Sequence, residues 1–185
     1  HTRPALAIAS LLADTCTCGV CAVCATGTDC KKSPHCWRNS SVVPGWVWKA
    51  DTSSDELTGH MFTYPILHRL LKPNATESRD IHAMVDGLVG GLLANNLSLI
   101  DPATAQPTTW GKFGPHWVND VRDWSDDRGL RALELLGYLA AAESVTGDAK
   151  YRHAAEKLRS EHGYGRLMVN AKVWPTGVQL QLCHR

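Results

Sequence analysis

The chain has 185 residues, of which 44% are hydrophobic and 20% charged, the composition of an ordinary globular protein, and this excludes a disordered chain. The 19 Lys and Arg nearly balance the 18 Asp and Glu, so no basic surface for nucleic acid is expected. The longest apolar run, residues 4–13, is far shorter than the ~20 residues that cross a bilayer. We therefore expect neither a nucleic-acid partner nor a membrane span.

Six of the seven cysteines are crowded into residues 16–36, between Gly, Thr, Asp and Lys. Such a segment cannot form a hydrophobic core, so cross-links must hold it. The spacing of these cysteines is compatible with three disulfides, whose pairing the sequence does not determine, and also with a zinc cluster. Cys183 is left over in either case. The cysteines of the cluster are Cys16, Cys18, Cys21, Cys24, Cys30 and Cys36.

Three Asn-x-Ser/Thr sequons begin at Asn39, Asn74 and Asn96. In a secreted protein such sites accept covalent N-glycans and lie at the surface. Together with the cysteine cluster they favour an extracellular, secreted protein with disulfides over an intracellular zinc module. On this interpretation we expect no metal and no cofactor.

The pattern along the chain divides it into two parts. Residues 1–36 combine an apolar arm with the cysteine cluster, and residues 37–185 are expected to be mainly α-helical. This second part opens with a Trp-rich stretch, residues 37–53, around Pro44-Gly45. No strand pattern is evident after residue 53 apart from two short segments near the C-terminus, residues 169–173 and 178–182.

The first helix is predicted to begin near Ser53, because Ser53 and Glu56 have the spacing of a capping box. Pro65 is expected to kink or break it, since proline lacks the amide proton and clashes with the preceding turn. Lys72-Pro73 should end it.

The second helix is predicted from Thr76, as N-cap, to Asn95. Three glycines lower its helix propensity, and close approach of a neighbouring helix would compensate. Residues 98–124 are expected to form a long, aromatic-rich loop. The three glycines are Gly87, Gly90 and Gly91.

The third and fourth helices are predicted over residues 126–145 and 149–162. Gly147 ends the first of them, Asp148 caps the second, and Gly163 ends it. So short a link requires an antiparallel hairpin. The apolar face predicted for the third helix consists of Leu130, Leu133, either Leu136 or Gly137, and Ala140.

Four segments carry, in order, the sequences WKADTSSDELTGHMF (residues 48–62), TTWGKFGP (108–115), DRGLRALELL (127–136) and TGDAKY (146–151). As an ordered set they resemble motifs of secreted α/α-toroid proteins of the six-hairpin glycosidase type, over roughly residues 46–172. The resemblance implies antiparallel helical hairpins and a carbohydrate partner. The chain offers two or three of the six hairpins, so it implies part of a toroid or a fragment of one.

Three carboxylates are candidates for catalysis: Asp55, Glu56 and Asp127. Glycoside cleavage needs one protonated and one ionised carboxyl group. The alternative for Asp55 and Glu56 is helix capping, and for Asp127 a structural pair with Arg128. Glu134 lies in an apolar helix, and burial would raise its pKa and suit it to general-acid chemistry.

The candidates for substrate binding are His60, Trp110 and Trp117. His60 is one turn from Glu56, which can tune it, and indole rings stack on the C–H faces of sugars. The alternative is that the rings of this loop, which also holds Phe113 and His116, fill the core.

The sequence therefore predicts an extracellular N-glycosylated protein with a carbohydrate-active or carbohydrate-binding α/α-toroid-like domain, either a glycoside hydrolase or an inactive relative. The alternative is a structural subunit of an extracellular fibre, wall or surface appendage. Self-assembly or further chain segments would then be its partners.

Overall fold

The computed structural model describes residues 37–40, 42–70, 74–102 and 104–170. Six α-helices and two small antiparallel sheets make up this part of the chain, which confirms the mainly α fold class. The predicted cysteine cluster, Cys183 and the residues from 171 onward lie outside the described residues.

The Trp-rich stretch forms a β-hairpin. Strand β1 (Trp37–Asn39) pairs with β2 (Val47–Lys49), with Arg38 opposite Trp48. Gly45 has φ +81° in the connecting turn, a conformation that glycine adopts without strain.

Helix α1 (Ser54–Leu70) begins after Ser53, whose backbone N–H donates to the Glu56 carboxylate at 2.8 Å. This is the Glu56 half of the predicted capping box. The expected break at Pro65 is wrong, because α1 continues to its end at Leu70. One lost backbone bond is offset by the burial of the helix's apolar face. The apolar side chains buried by α1 are Leu57, Met61 and Tyr64.

Helix α2 (Ala75–Val85) has Asn74 as its N-cap, not Thr76 as predicted. The Asn74 side chain accepts from the backbone N–H groups of Thr76 and Glu77, both at 2.9 Å. The Glu77 carboxylate accepts in return from the Asn74 N–H at 3.0 Å, which completes a capping box.

A wide π-helical turn (Asp86–Gly90) joins α2 to the single turn α3 (Gly91–Ala94), which ends at Asn95 as predicted. The expected close approach is found at Gly90, where an added Cβ would lie 3.5 Å from the Tyr151 hydroxyl. The other two glycines of this stretch have open space instead.

The predicted loop 98–124 contains a hairpin, so the expectation of no strands after residue 53 is wrong. Strand β3 (Ser98–Asp101) pairs antiparallel with β4 (Gln106–Lys112), and Ile100 lies opposite Pro107. Proline is tolerated here because this sheet has only two strands, so each strand has an edge that needs no partner. Two helical turns follow, His116–Asp120 and Arg122–Trp124.

Helices α4 (Arg128–Thr146) and α5 (Ala149–His162) form the predicted hairpin. Gly147 is in the left-handed conformation at φ +71°, and the Asp148 carboxylate accepts from the Lys150 N–H at 2.9 Å. The side chains of Glu143 and Arg152 pair across the turn at 3.1 Å. The hairpin and its turn are thus confirmed.

Helix α4 lies at the centre of the core and packs against α1, α2, α5 and the short helix α6 (Tyr164–Leu167). The apolar face predicted for it is only partly right: Leu136 is buried, but Leu133 is 40% exposed and Ala140 is exposed. At Gly129 an added Cβ would lie 1.9 Å from the Asn170 carbonyl oxygen, so the end of the described chain packs directly on this glycine. The apolar side chains that α4 buries are Ala132, Leu135, Leu136, Tyr138, Leu139, Ala142 and Val145.

No helix within the described ranges is long and apolar enough to cross a membrane.

Candidate functional site

Three indole rings meet beside the N-terminal end of α4; we call Trp110, Trp117 and Trp124 the tryptophan cluster. The ring centroids of Trp110 and Trp124 are 5.8 Å apart, and those of Trp117 and Trp124 are 6.4 Å apart. Trp110 is 46% exposed, whereas the other two rings are half-buried. Phe113 is fully buried in the core, so the alternative interpretation holds for that ring.

Two cations flank the tryptophan cluster. The Lys112 Nζ lies 4.3 Å from the Trp117 ring centroid and 6.0 Å from that of Trp124. The Arg131 guanidinium lies 5.1 Å from the Trp124 centroid and 5.6 Å from that of Phe113. Cations at such distances are attracted to the ring faces, which helps to fix the rings in place.

Arg131 also pairs with Glu134 one turn along α4, Nη1 to Oε2 at 3.0 Å. The Arg131 side chain is buried and that of Glu134 is nearly so, with 5% and 10% of their surface exposed. Burial raises the pKa of Glu134, although the Arg131 charge and a hydrogen bond from Ser54 act in the opposite direction. The condition set by the sequence for Glu134, burial with a raised pKa, is met.

The start of α1 lies against Glu134. The Tyr138 hydroxyl donates to the Ser54 carbonyl at 2.9 Å and lies 2.7 Å from the Thr58 hydroxyl. Asp55 is exposed and close enough for its charge to raise the pKa values of Glu134 and Tyr138, in addition to the larger effect of burial. Asp55 and Glu134 are therefore neighbouring carboxyl groups in unlike surroundings.

A second contact joins the segment before α1 to the strand that carries Trp110. Asp51 is buried, has φ +54°, and accepts from the Thr109 backbone N–H at 2.5 Å. The structure thus brings together the two segments that the sequence selected, the start of the first helix and the residues around Trp110.

Glu56 is held away from this neighbourhood by its own partners. Its carboxylate pairs with Lys49 of β2 and accepts from the Ser53 N–H. These contacts stabilise the start of α1, as expected from the alternative in which Glu56 caps the helix.

His60 stacks on Tyr64 one turn along α1, with ring centroids 5.9 Å apart and planes 17° apart. Burial lowers the pKa of His60, and the Glu56 charge raises it by less. Among the described residues, the His60 ring contacts the Tyr64 ring and no ring of the tryptophan cluster.

Asp127 is the N-cap residue of α4 and is half-buried. Its backbone N–H donates to the Trp124 carbonyl at 3.1 Å, and its carbonyl accepts from the Arg131 N–H at 2.9 Å. Asp127 therefore fixes Trp124 and Arg131 relative to each other through the backbone.

An open pocket of about 510 Å³ is lined in part by Trp117. It is bordered by Asn96, Ile100, Pro107 and His116. The carboxyl groups of Asp55 and Glu134 do not line it. Trp117 is thus shared by the tryptophan cluster and this pocket.

Sequence reasoning missed Lys112, Trp124 and Arg131 as parts of the site. Trp124 and Arg131 flank Asp127, and their distances from it along the chain, three and four residues, are those of neighbours on a helix. That spacing is the signal that would have placed them together.

The three sequon asparagines, Asn39, Asn74 and Asn96, are all exposed. Asn96 has φ +52° in the turn that precedes β3. Glycosylation at these residues stays a prediction.

No protein-family model, curated protein or solved structure matches this chain. The likeness to six-hairpin glycosidases therefore stays a prediction from the four motifs. Across the described ranges, no group of three or more His, Cys, Asp and Glu side chains could hold a metal ion.

Proposed function

We propose that this chain is a carbohydrate-binding domain of an extracellular, disulfide-bonded and N-glycosylated protein, built from toroid-like helical hairpins. The observation that carries the proposal is the tryptophan cluster, in which one half-exposed ring is supported by two half-buried ones. The motifs around Trp110 and Asp127 support it independently.

An exposed indole in such a setting suits a sugar. The C–H face of a pyranose is apolar, and a flat ring that does not have to reorganise binds it at little entropic cost. Trp110 is held by Trp124 on one side and, through its neighbour Thr109, by the buried Asp51. It is therefore fixed in place before any ligand arrives.

The same proposal assigns a hydrolytic role to Asp55 and Glu134. In its protonated form, which burial favours, Glu134 can give a proton to the leaving glycosidic oxygen as that bond breaks. Asp55 is the second carboxyl group, which either attacks the anomeric carbon itself or takes a proton from the water that does so. If the pair does not react, the protein is an inactive relative that binds only.

The remaining candidates, Glu56 and Asp127, then position other groups and take no direct part in the reaction. Glu56 anchors the start of α1 to Lys49, and Asp127 fixes Trp124 and Arg131.

Hydrolysis by Glu134 would decline as the pH rises through its raised pKa, because the general acid loses its proton.

Calorimetric titration with a panel of oligosaccharides tests the proposal, with Trp110→Ala beside Trp46→Ala. Trp46 is a matched control because it is also 46% exposed but lies in the loop between β1 and β2. We expect Trp110→Ala to weaken binding by about 1 kcal/mol, roughly fivefold, and Trp46→Ala to leave it unchanged.

Two results would contradict it. Equal losses in both variants would mean that the tryptophan cluster is not the binding surface. Absence of binding by the wild-type protein to every sugar in the panel would favour the assembly function described next.

The alternative, a structural subunit of an extracellular assembly, is favoured by a separate observation. Helix α1 exposes an apolar stripe of Phe62, Ile66 and Leu70, spaced four residues apart. Phe62 is 71% and Leu70 69% exposed. Apolar side chains in a row on one helix face are typical of a surface that another chain covers.

A further inference from the structure

One of the three sequons lies at the border of a pocket. Asn96, in the turn before β3, lines the open pocket of about 510 Å³ together with His116 and Trp117. That volume is within the range of about 300–1,000 Å³ that small-molecule sites have. The other sequon asparagines, Asn39 and Asn74, are not among the residues that line it. A sugar attached to Asn96 would therefore begin beside a space large enough to hold it.

The turn that carries Asn96 is fixed against the segment that leads to Trp117. The Phe113 backbone N–H donates to the Leu97 carbonyl at 2.9 Å. An added Cβ at Gly114 would lie 2.7 Å from the Asn96 carbonyl oxygen, so the two segments approach more closely than any residue but glycine permits. These backbone contacts hold Asn96 at a set distance from the indole of the pocket.

The Asn96 side chain is available for modification. It is exposed, and across the described ranges its amide forms no hydrogen bond. The neighbouring Asn95 differs, because its side-chain amide donates to the Gly91 carbonyl at 2.7 Å. Asn96 has φ +52°, a conformation that asparagine adopts more readily than most residues. The nitrogen that would carry a glycan is thus not needed to hold the turn together.

The lining of the pocket suits the apolar face of a sugar. Trp117 is half-buried, and its ring centroid is 5.3 Å from that of the exposed His116. A pyranose places its C–H groups on a flat ring of this kind and keeps its hydroxyls in water. Asn96 also borders a second pocket of about 310 Å³, but no indole is among the described residues that line it. The indole therefore favours the larger pocket.

We propose that the larger pocket is the docking site of an N-glycan carried by Asn96 itself, whose first sugar packs on Trp117. In the attachment step the Asn96 Nδ2 bonds to the anomeric carbon of a lipid-diphosphate-linked oligosaccharide. The anomeric C–O bond breaks, the lipid diphosphate leaves with the electron pair of that bond, and the amide loses one proton. The inference rests on the N-glycosylation in the proposed function and not on the binding of free sugars at Trp110.

Attachment to the chain makes a weak contact sufficient. A group joined by a short flexible link reaches its site at an effective concentration of about the millimolar range. A sugar–indole contact with a dissociation constant of that order is then substantially populated, although the same contact would not hold a dilute free monosaccharide. Because the glycan is part of the molecule, free sugars at lower concentration do not displace it.

NMR of the full chain, secreted from a eukaryotic host with isotope-labelled glycans, tests the docking. Mass spectrometry of glycopeptides first establishes which sequons are occupied, and an endoglycosidase then trims each glycan to its first sugar. We expect the C–H signals of the Asn96 sugar to shift upfield through the ring current of Trp117 and to show nuclear Overhauser effects to that ring. The sugar on Asn74, which caps α2 and does not line the pocket, is the internal control and should keep the shifts of a solvated sugar.

Two variants assign the effect to one ring. Trp117→Ala should return the Asn96 sugar to the shifts of a solvated sugar. Trp46→Ala, which removes an exposed indole that does not line the pocket, should leave those shifts as in the wild type. Should Trp117→Ala fail to fold, the contacts of the sugar in the wild-type protein decide alone.

Three results would overturn the inference: no glycan on Asn96, a glycan there whose first sugar shows no contact with Trp117, or contacts with Leu93 and Leu158 of the smaller pocket instead. Failure of the docking is distinguished from failure of the proposed function, because the latter is measured by oligosaccharide binding at Trp110.

Discussion

Arg131 is a charged side chain enclosed by aromatic rings, and its position determines how Glu134 behaves. It is 4% exposed, and its guanidinium lies near the faces of Phe113 and Trp124. Burying a charge is costly unless it is paired, and Glu134 supplies the pair. Yet the net effect of the site on Glu134 is a raised pKa, so desolvation outweighs the attraction of Arg131.

Replacing Glu134 should therefore change how stability depends on pH. A raised pKa means that the folded protein binds this proton more tightly than the unfolded chain does. The resulting cost of ionisation is absent below the ordinary pKa of a glutamate and is complete above the raised pKa. Glu134→Gln removes the cost, so its free energy of unfolding relative to wild type should improve as the pH rises.

Urea unfolding of both proteins at a series of pH values from about 4 to about 8 measures this difference. Glu156→Gln, at an exposed position of α5, controls for the removal of one carboxylate. A relative stability of Glu134→Gln that declines with rising pH would show that the Arg131 pair dominates instead.

At the scale of elements, the α4–α5 hairpin is governed by its turn. Gly147 adopts φ +71°, and an added Cβ there would meet no atom within 4 Å. Any penalty for a side chain at this position is therefore backbone strain and not a clash.

Gly147→Val should lower the free energy of unfolding by about 1 kcal/mol or more, because a β-branched residue is strained at positive φ. Gly137→Ala is the matched control. It also has open space around its Cβ but lies within α4, where alanine is favoured by about 0.8–1.0 kcal/mol. Chemical denaturation of both variants gives the sign of each change in the free energy of unfolding. A Gly147→Val protein as stable as the wild type would contradict the strain argument.

The sequence predicted this hairpin because its signals are local. Gly147, Asp148 and Gly163 act on the residues beside them, and the fourth helix has the predicted bounds. Strands β3 and β4 were missed because Pro107, which lies opposite Ile100, argues against a strand when it is seen alone.

Part of the candidate site could likewise be selected from the sequence. Trp110, Trp117 and Asp55 could be selected by residue type, since sugar binding and glycoside cleavage need flat rings and carboxylates. The partnership of Trp124 with Arg131 depends on how the chain turns before α4. The meeting of Asn96 and Trp117 at one pocket depends on how the turn before β3 packs on the segment after β4, which no short motif encodes.

At the scale of the whole molecule, the apolar stripe of α1 is the feature that another chain could cover. Single exposed apolar residues are normal, and Val169, 77% exposed, is one of them. Three residues in register along a helix form a larger apolar surface, which favours association in water.

If the assembly function holds, the wild-type chain should self-associate as its concentration rises, and Phe62→Lys should shift it toward the monomer. The reason is that a buried charge in an apolar contact is costly. Val169→Lys, which adds the same charge at an isolated position, should leave the distribution unchanged. Sedimentation velocity over a range of concentrations measures this, and identical behaviour of all three proteins would contradict an assembly through α1.

The closeness of the three indoles in the tryptophan cluster has an optical consequence. Indole rings with centroids 5.8 and 6.4 Å apart are close enough for their excited states to couple, so we expect their ultraviolet circular dichroism to contain a pair of bands of opposite sign. Trp110 is the half-exposed member, and a molecule that stacks on it changes its coupling to Trp124. The protein therefore carries an intrinsic spectroscopic label at its candidate site, readable without dye, tag or substrate turnover.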